Sequence, residues 1–307
     1  MGQRLVAALF VVVLATAACD RSPSGPSHPA APDQVTPDDA VRATGARAAA
    51  AAFVRAYAND TGAHPRTLAE LVDGHRLDRW VHWLGVQDRE FPGTISGTIE
   101  TNQIGPATPF ELTSVPGSEA LLRDVDVRAT ITFSFQPVDG DPITLSRSLD
   151  GPMRLLFDDQ RGIWRVLDFT RDGIPLSQAF EVIANGATAS RGGVGVAIDA
   201  FVSVPYWQFF LRLSSDRAVA LQPRDVELLD GDGGRVAVAR EVTSSLRGIA
   251  AGRAVEGIVT FPAQASADGL TLRITLRGAG GAATFGFTLR DLIHPVPLAT
   301  GSPSPVP

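Results

Sequence analysis

The side chains able to do chemistry are sparse, and their spacing excludes more than it supplies. Asp230, Asp232 and Glu241 stand at positions 1, 3 and 12 of a calcium-loop template, where carboxylates would ligate a hard cation. Gly234 then replaces the third oxygen ligand, and Arg235 occupies the place where such a loop needs glycine. A β-hairpin turn accounts for this segment better. His75, Asp78 and His82 share a helix face at i, i+3 and i+7, a spacing compatible with a divalent ion, but Arg76 and Arg79 interleave and repel a cation. They read as a solvated helix face, and no metal site is expected. The chain has no Gly-x-Ser-x-Gly, no P-loop and no His-Glu-x-x-His. Its Gly-rich pieces, near Gly192 and Gly280, lack the strand-Gly-helix context of phosphate binding. No catalytic residue and no cofactor is expected.

Composition narrows the classes further. The 307 residues are 44% apolar and 20% charged with a mean hydropathy of +0.09, the profile of a soluble globular chain of about two domains. A net charge of −6 lacks the basic footprint of a nucleic-acid binder. One cysteine, Cys19, excludes an internal disulfide framework and a Cys-based zinc site.

That cysteine lies at the end of an address. Arg4 makes a positive n-region, Leu5 to Leu14 an apolar h-region too short to span a bilayer, and Thr16-Ala17-Ala18 a small-residue cleavage site. Residues 1–18 are therefore a signal peptide. Thr16-Ala17-Ala18-Cys19 resembles the bacterial lipobox, with Thr16 where the family usually has Leu. The resemblance implies acylation of the Cys19 thiol, cleavage before it, and attachment to the outer leaflet of the cytoplasmic membrane. Each buried acyl methylene contributes about 0.8 kcal/mol, and the acidic body adds no attraction to anionic lipid, so the acyl chains alone are the tether.

Residues 19–37 are rich in Pro, Ser and Ala without apolar periodicity and read as an extended spacer; residues 294–307 form a similar tail. A helix begins next, with Thr36 as cap, Pro37 in the first helical position, and Ala50, Phe53, Val54 and Tyr57 on one face. Thr67 and Glu70 form a capping box for a second helix, and a third short one holds Leu77, Trp80, Val81 and Leu84. After Pro92 the period changes: Val125, Val127, Ala129, Ile131, Phe133 and Phe135 alternate with polar residues as a long half-buried strand. Met153 to Phe157 and Trp164 to Phe169 flank the turn Asp158 to Gly162 as a hairpin.

Helices followed by a meander are an α+β order, and the helix around Ala50 to Asp60 with the closing pair Met153 to Phe169 resembles the NTF2-like superfamily over residues 38–180. The stretch least like it is 93–122. Residues 192–293 differ, with seven short strands separated by Gly, Asp and Pro turns. Val226 to Arg235, Ile249 to Gly252 and Val255 to Pro262 resemble the DUF4352-type immunoglobulin-like domains of exported lipoproteins. The expected fold class is thus an α+β NTF2-like cone followed by an all-β immunoglobulin-like sandwich.

Such a cone implies a pocket, and Tyr57, Trp80, Trp83 and Asp168 are the residues to line it, through aromatic walls and a desolvated carboxylate. Separately, alternation along Tyr206 to Phe210 sends Tyr206, Gln208 and Phe210 to one face and Trp207 and Phe209 to the other. The expected function is a non-catalytic, membrane-anchored binding or interaction module contacting envelope proteins. One alternative is a small-molecule binder using the pocket, and another is an isomerase or hydrolase with Asp168 as base.

Overall fold

A computed structural model describes residues 37–59, 66–90, 93–112, 121–137, 141–290 and 292–295. Cys19, the signal peptide, the spacer up to Thr36 and the tail beyond residue 295 lie outside them. The residues from Pro37 onward belong to one compact unit.

Helix α1 (Pro37–Asn59) opens at the proline expected in its first position and buries Ala46, Ala50, Phe53, Val54 and Tyr57. Helix α2 (Arg66–Leu71) starts one residue before Thr67, so Thr67 sits inside the helix and not at its cap. Helix α3 (His75–Glu90) is longer than expected and buries Leu77, Trp80, Val81, Trp83 and Val86. Four antiparallel strands follow in spatial order: β1 (Gly93–Pro109), β2 (Leu122–Pro137), β3 (Ile143–Asp158) and β4 (Ile163–Asp168). In β2, Val125, Val127, Ala129 and Ile131 are buried while Asp126 and Arg128 are exposed, the period-2 signature of a sheet covered on one face. Helix α1 covers that face. It approaches so closely that a Cβ at Gly97 would collide with the Ala58 carbonyl oxygen.

A small hairpin, β5 (Thr170–Arg171) and β6 (Ile174–Pro175), and the one-turn helix α4 (Leu176–Ala179) lead onward. The second half contains β7 (Phe180–Arg191), β8 (Val194–Val202), β9 (Trp207–Ser215), β10 (Val219–Ala220), β11 (Val226–Leu229), β12 (Arg235–Val238) and β13 (Glu241–Val242). After the short helix α5 (Ser244–Arg247) come β14 (Arg253–Phe261), β15 (Thr271–Gly278) and β16 (Gly281–Thr288). One five-stranded sheet has the order β13-β14-β9-β8-β7; the other runs β10-β15-β11-β12, with β16 also on β15. A single hydrophobic cluster draws from both, including Ile198, Phe209 and Leu211 from the first and Leu228, Leu272 and Ile274 from the second.

This architecture corrects the expected fold class. Of the described residues, 55% lie in strands and 22% in helices, arranged in four sheets, and no α+β NTF2-like cone is present among them. The physical reason lies in two stretches without a clean apolar period. Residues 93–109, rich in Gly and Thr, form a full-length strand because their backbone pairs along β2 from Gly93↔Pro137 to Pro109↔Arg123. Residues 181–191, which carry no module assignment in the sequence, pair with β8 as β7. Main-chain hydrogen bonding recruits both, and side-chain periodicity does not report it.

Candidate functional site

Helix α3 lies between the two halves, and three of its stripes face three different neighbours. Leu77 and Val81 enter the core shared with α1 and the first sheet. His82 and Glu90 reach the second half: His82 Nε2 lies 2.9 Å from Glu256 Oε2, and Glu90 Oε2 accepts from Ser244 Oγ at 2.8 Å and Ser245 N at 3.0 Å. Burial would raise the Glu90 pKa, but the hydrogen bonds from Ser245 and Ser244 outweigh it and hold the carboxyl below its ordinary value. The third stripe is Trp80, Trp83, Leu84 and Gln87, at i, i+3, i+4 and i+7, and it forms one wall of a cavity of about 240 Å³.

The opposite wall comes from the start of the second half. Phe210 packs on Trp83 with ring centroids 4.5 Å apart, and Phe180 meets Phe210 at 6.0 Å. Gln208 and Tyr206 continue the same face of β9, while Trp207 and Phe209 point into the second core, as the alternation requires. A register shift between Ile198 and Ala200 makes Asp199 an extra residue of β8 opposite β9. This bulge reverses the strand's facing: Val194, Val196 and Ile198 serve the second core, whereas Ala200 joins the first core and Val202 lines the cavity. Leu176, Ala179, Val204 and Pro205, the last after a cis peptide, complete the apolar lining.

The β5-β6 hairpin sets the two arginines of the lining. Asp172 (φ 52°) and Gly173 (φ 77°) are the two left-handed residues of a tight two-residue turn. The turn is fastened to β3: Asp172 N donates to Ser148 O at 2.9 Å, Ser148 N donates to Asp172 Oδ1 at 2.9 Å, and Arg147 Nη1 donates to Asp172 Oδ2 at 2.9 Å. Arg147 and Arg171 thereby both line the cavity. Arg147 is neutralised by Asp172, and the Arg171 side chain has no hydrogen-bond or ion-pair partner among the described residues. Among the described residues, no carboxylate lines the cavity. Gln87 Nε2 donates to Gln208 Oε1 at 3.4 Å, and the indole N–H of Trp83, itself 1% exposed, is buried without an acceptor.

The four residues singled out in the sequence take three different places. Trp80 and Trp83 line the cavity. Tyr57 lies behind it in the aromatic core, with ring centroids 6.1 Å from Trp80, 5.7 Å from Phe133 and 6.0 Å from Phe169. Asp168 is outside the lining; its Oδ1 accepts from Phe169 N at 2.9 Å and Ser177 N at 3.0 Å, which holds the chain where β4 passes toward α4. Cys19 falls outside the described residues. Sequence reasoning missed Arg147, Arg171 and Gln87. For Arg171 a signal exists, since Asp172-Gly173 is a strong hairpin dipeptide; Arg147 and Gln87 carry none.

The other polar constellations have local duties. Asp230 Oδ1 accepts from Asp232 N and Gly234 N at 3.1 and 2.7 Å, closing the β11-β12 turn. Among the described residues, no group of three or more His, Cys, Asp or Glu could hold a metal ion, and no helix is long and apolar enough to cross a membrane. No family model, curated protein or solved structure matches the chain.

Proposed function

We propose that this protein is a non-catalytic binding protein of the bacterial cell envelope, held to the outer leaflet of the cytoplasmic membrane by an acylated Cys19 and receiving a small molecule in the cavity between α3 and β9. The observation that carries the binding reading is the lining itself: aromatic and aliphatic walls with a few polar groups among them, the composition of small-molecule sites. The anchor rests on the order of signal peptide, small residues and Cys19, followed by a Pro-rich spacer able to hold the folded part tens of ångströms above the bilayer at about 3.1 Å per residue. Asp168 has no place in this function. Its carboxylate is committed to two backbone N–H groups, and it is absent from the cavity lining.

Native mass spectrometry of the mature chain, extracted in detergent from its own host, tests both parts. The expected spectrum has Cys19 as the N-terminal residue carrying a diacylglyceryl group, together with a stoichiometric small-molecule mass lost on activation. In a Cys19→Ser chain, lipid labelling and membrane retention both disappear. An unmodified Cys19 would refute the anchor, and a chain that never carries additional mass at any ligand load would refute the binding function.

A further inference from the structure

The charges and donors around the cavity narrow what it takes. We infer that its ligand is a small monocarboxylate with an apolar, preferably aromatic, body; this rests on the binding function proposed above. The argument begins with charge. Two guanidinium groups line the cavity, but Arg147 is paired with the Asp172 carboxylate at 2.9 Å, so that pair is neutral as a unit. Arg171 has no such partner among the described residues, and no carboxylate stands among the lining residues to supply one. The mouth therefore carries one uncompensated positive charge, enough for a monoanion and too little for a phosphate monoester with nearly two negative charges. A guanidinium presents parallel N–H donors that match a carboxylate's two oxygens.

Size and lining point the same way. A cavity of about 240 Å³ lies below the range of about 300 to 1,000 Å³ usual for drug-sized ligands, which excludes a long acyl chain or a nucleotide. Its walls include Trp80, Trp83 and Phe210, a lining that suits an apolar body.

The test uses the full mature chain in detergent and three probes sharing one ring: phenylacetate, phenylacetamide and phenyl phosphate, titrated by calorimetry. Phenylacetate is expected to bind saturably, at least tenfold more tightly than the neutral amide and more tightly than the phosphate. In Arg171→Gln the preference of acid over amide disappears while amide binding persists, which separates the loss of the charge from a loss of fold. Amide and acid binding equally would overturn the carboxylate assignment and leave the cavity as a binding site. A tighter phosphate would overturn the single-charge argument. Absence of binding by all three would overturn the assignment; a co-purifying mass of other chemistry would then keep the binding function, and a bare chain would remove that as well.

Discussion

At the scale of single residues, Asp172 decides how the cavity mouth is charged. Its left-handed backbone suits Asp or Asn, and its two carboxylate oxygens serve Ser148 N and Arg147 Nη1. Asp172→Asn keeps the backbone preference and an acceptor oxygen but removes the negative charge. The ion pair is partly exposed, so the folding cost is expected to be under about 1 kcal/mol, read as a small shift of the urea midpoint. The effect on binding is larger in kind: Arg147 is left uncompensated beside Arg171, and preference moves from phenylacetate toward phenyl phosphate. An unchanged order of the two affinities would contradict the role given to this charge.

At the scale of elements, α1 lies close on β1 at Gly97. Gly97 is there because any side chain would strike the Ala58 backbone, and the helix cannot withdraw without opening the core around Phe53 and Val54. Gly97→Ala is expected to destabilise the protein by about 1 to 3 kcal/mol, the usual cost of overpacking. Gly231→Ala, at a turn glycine whose added Cβ would meet open space, is the control and stays within about 0.5 kcal/mol. Equilibrium unfolding in urea distinguishes them. The β8 bulge at Asp199 belongs to this scale too, because one inserted residue turns a strand that serves the second core into one that serves the cavity.

At the scale of the whole molecule, the two halves are joined by more than a linker. Leu176, Phe180, Ala200, Phe210 and Ile258 pack in the same hydrophobic cluster as α1 and the first sheet. Around this apolar seam, Glu90 bonds to Ser244 and Ser245, and His82 Nε2 lies 2.9 Å from Glu256 Oε2. The Glu90 pKa is depressed in the folded protein, so its contribution is present above the unfolded carboxyl value of about 4.3 and is lost as pH falls through the folded value. The urea-midpoint advantage of wild type over Glu90→Gln should therefore be full at neutral pH and shrink as the pH is lowered from 5 toward 3. An advantage independent of pH would show that the carboxylate charge does not hold the joint.

Much of this was legible in the residues, because local physics writes itself into local spacing. The Pro37 start of α1, the alternation of Val125 to Ile131, the turn after Asp158 and the two faces of Tyr206 to Phe210 each follow from periods and turn chemistry confined to a few residues. Trp80 and Trp83, expected as walls of an NTF2-like cone, line instead the cavity between α3 and β9. The fold class was not legible. Strands β1 and β7 exist through main-chain pairing with the strands that follow them, β2 and β8, and their Gly-, Thr- and Ser-rich residues give no apolar rhythm. Nor was the site: Arg147, Arg171, Gln87 and Phe210 come from four separate elements, and only the packing of α3 between the two halves brings them around one cavity. Sequence alone determined which short segments form helices and turns and which faces are apolar; tertiary structure decided which faces meet, because that depends on contacts between residues far apart in the chain.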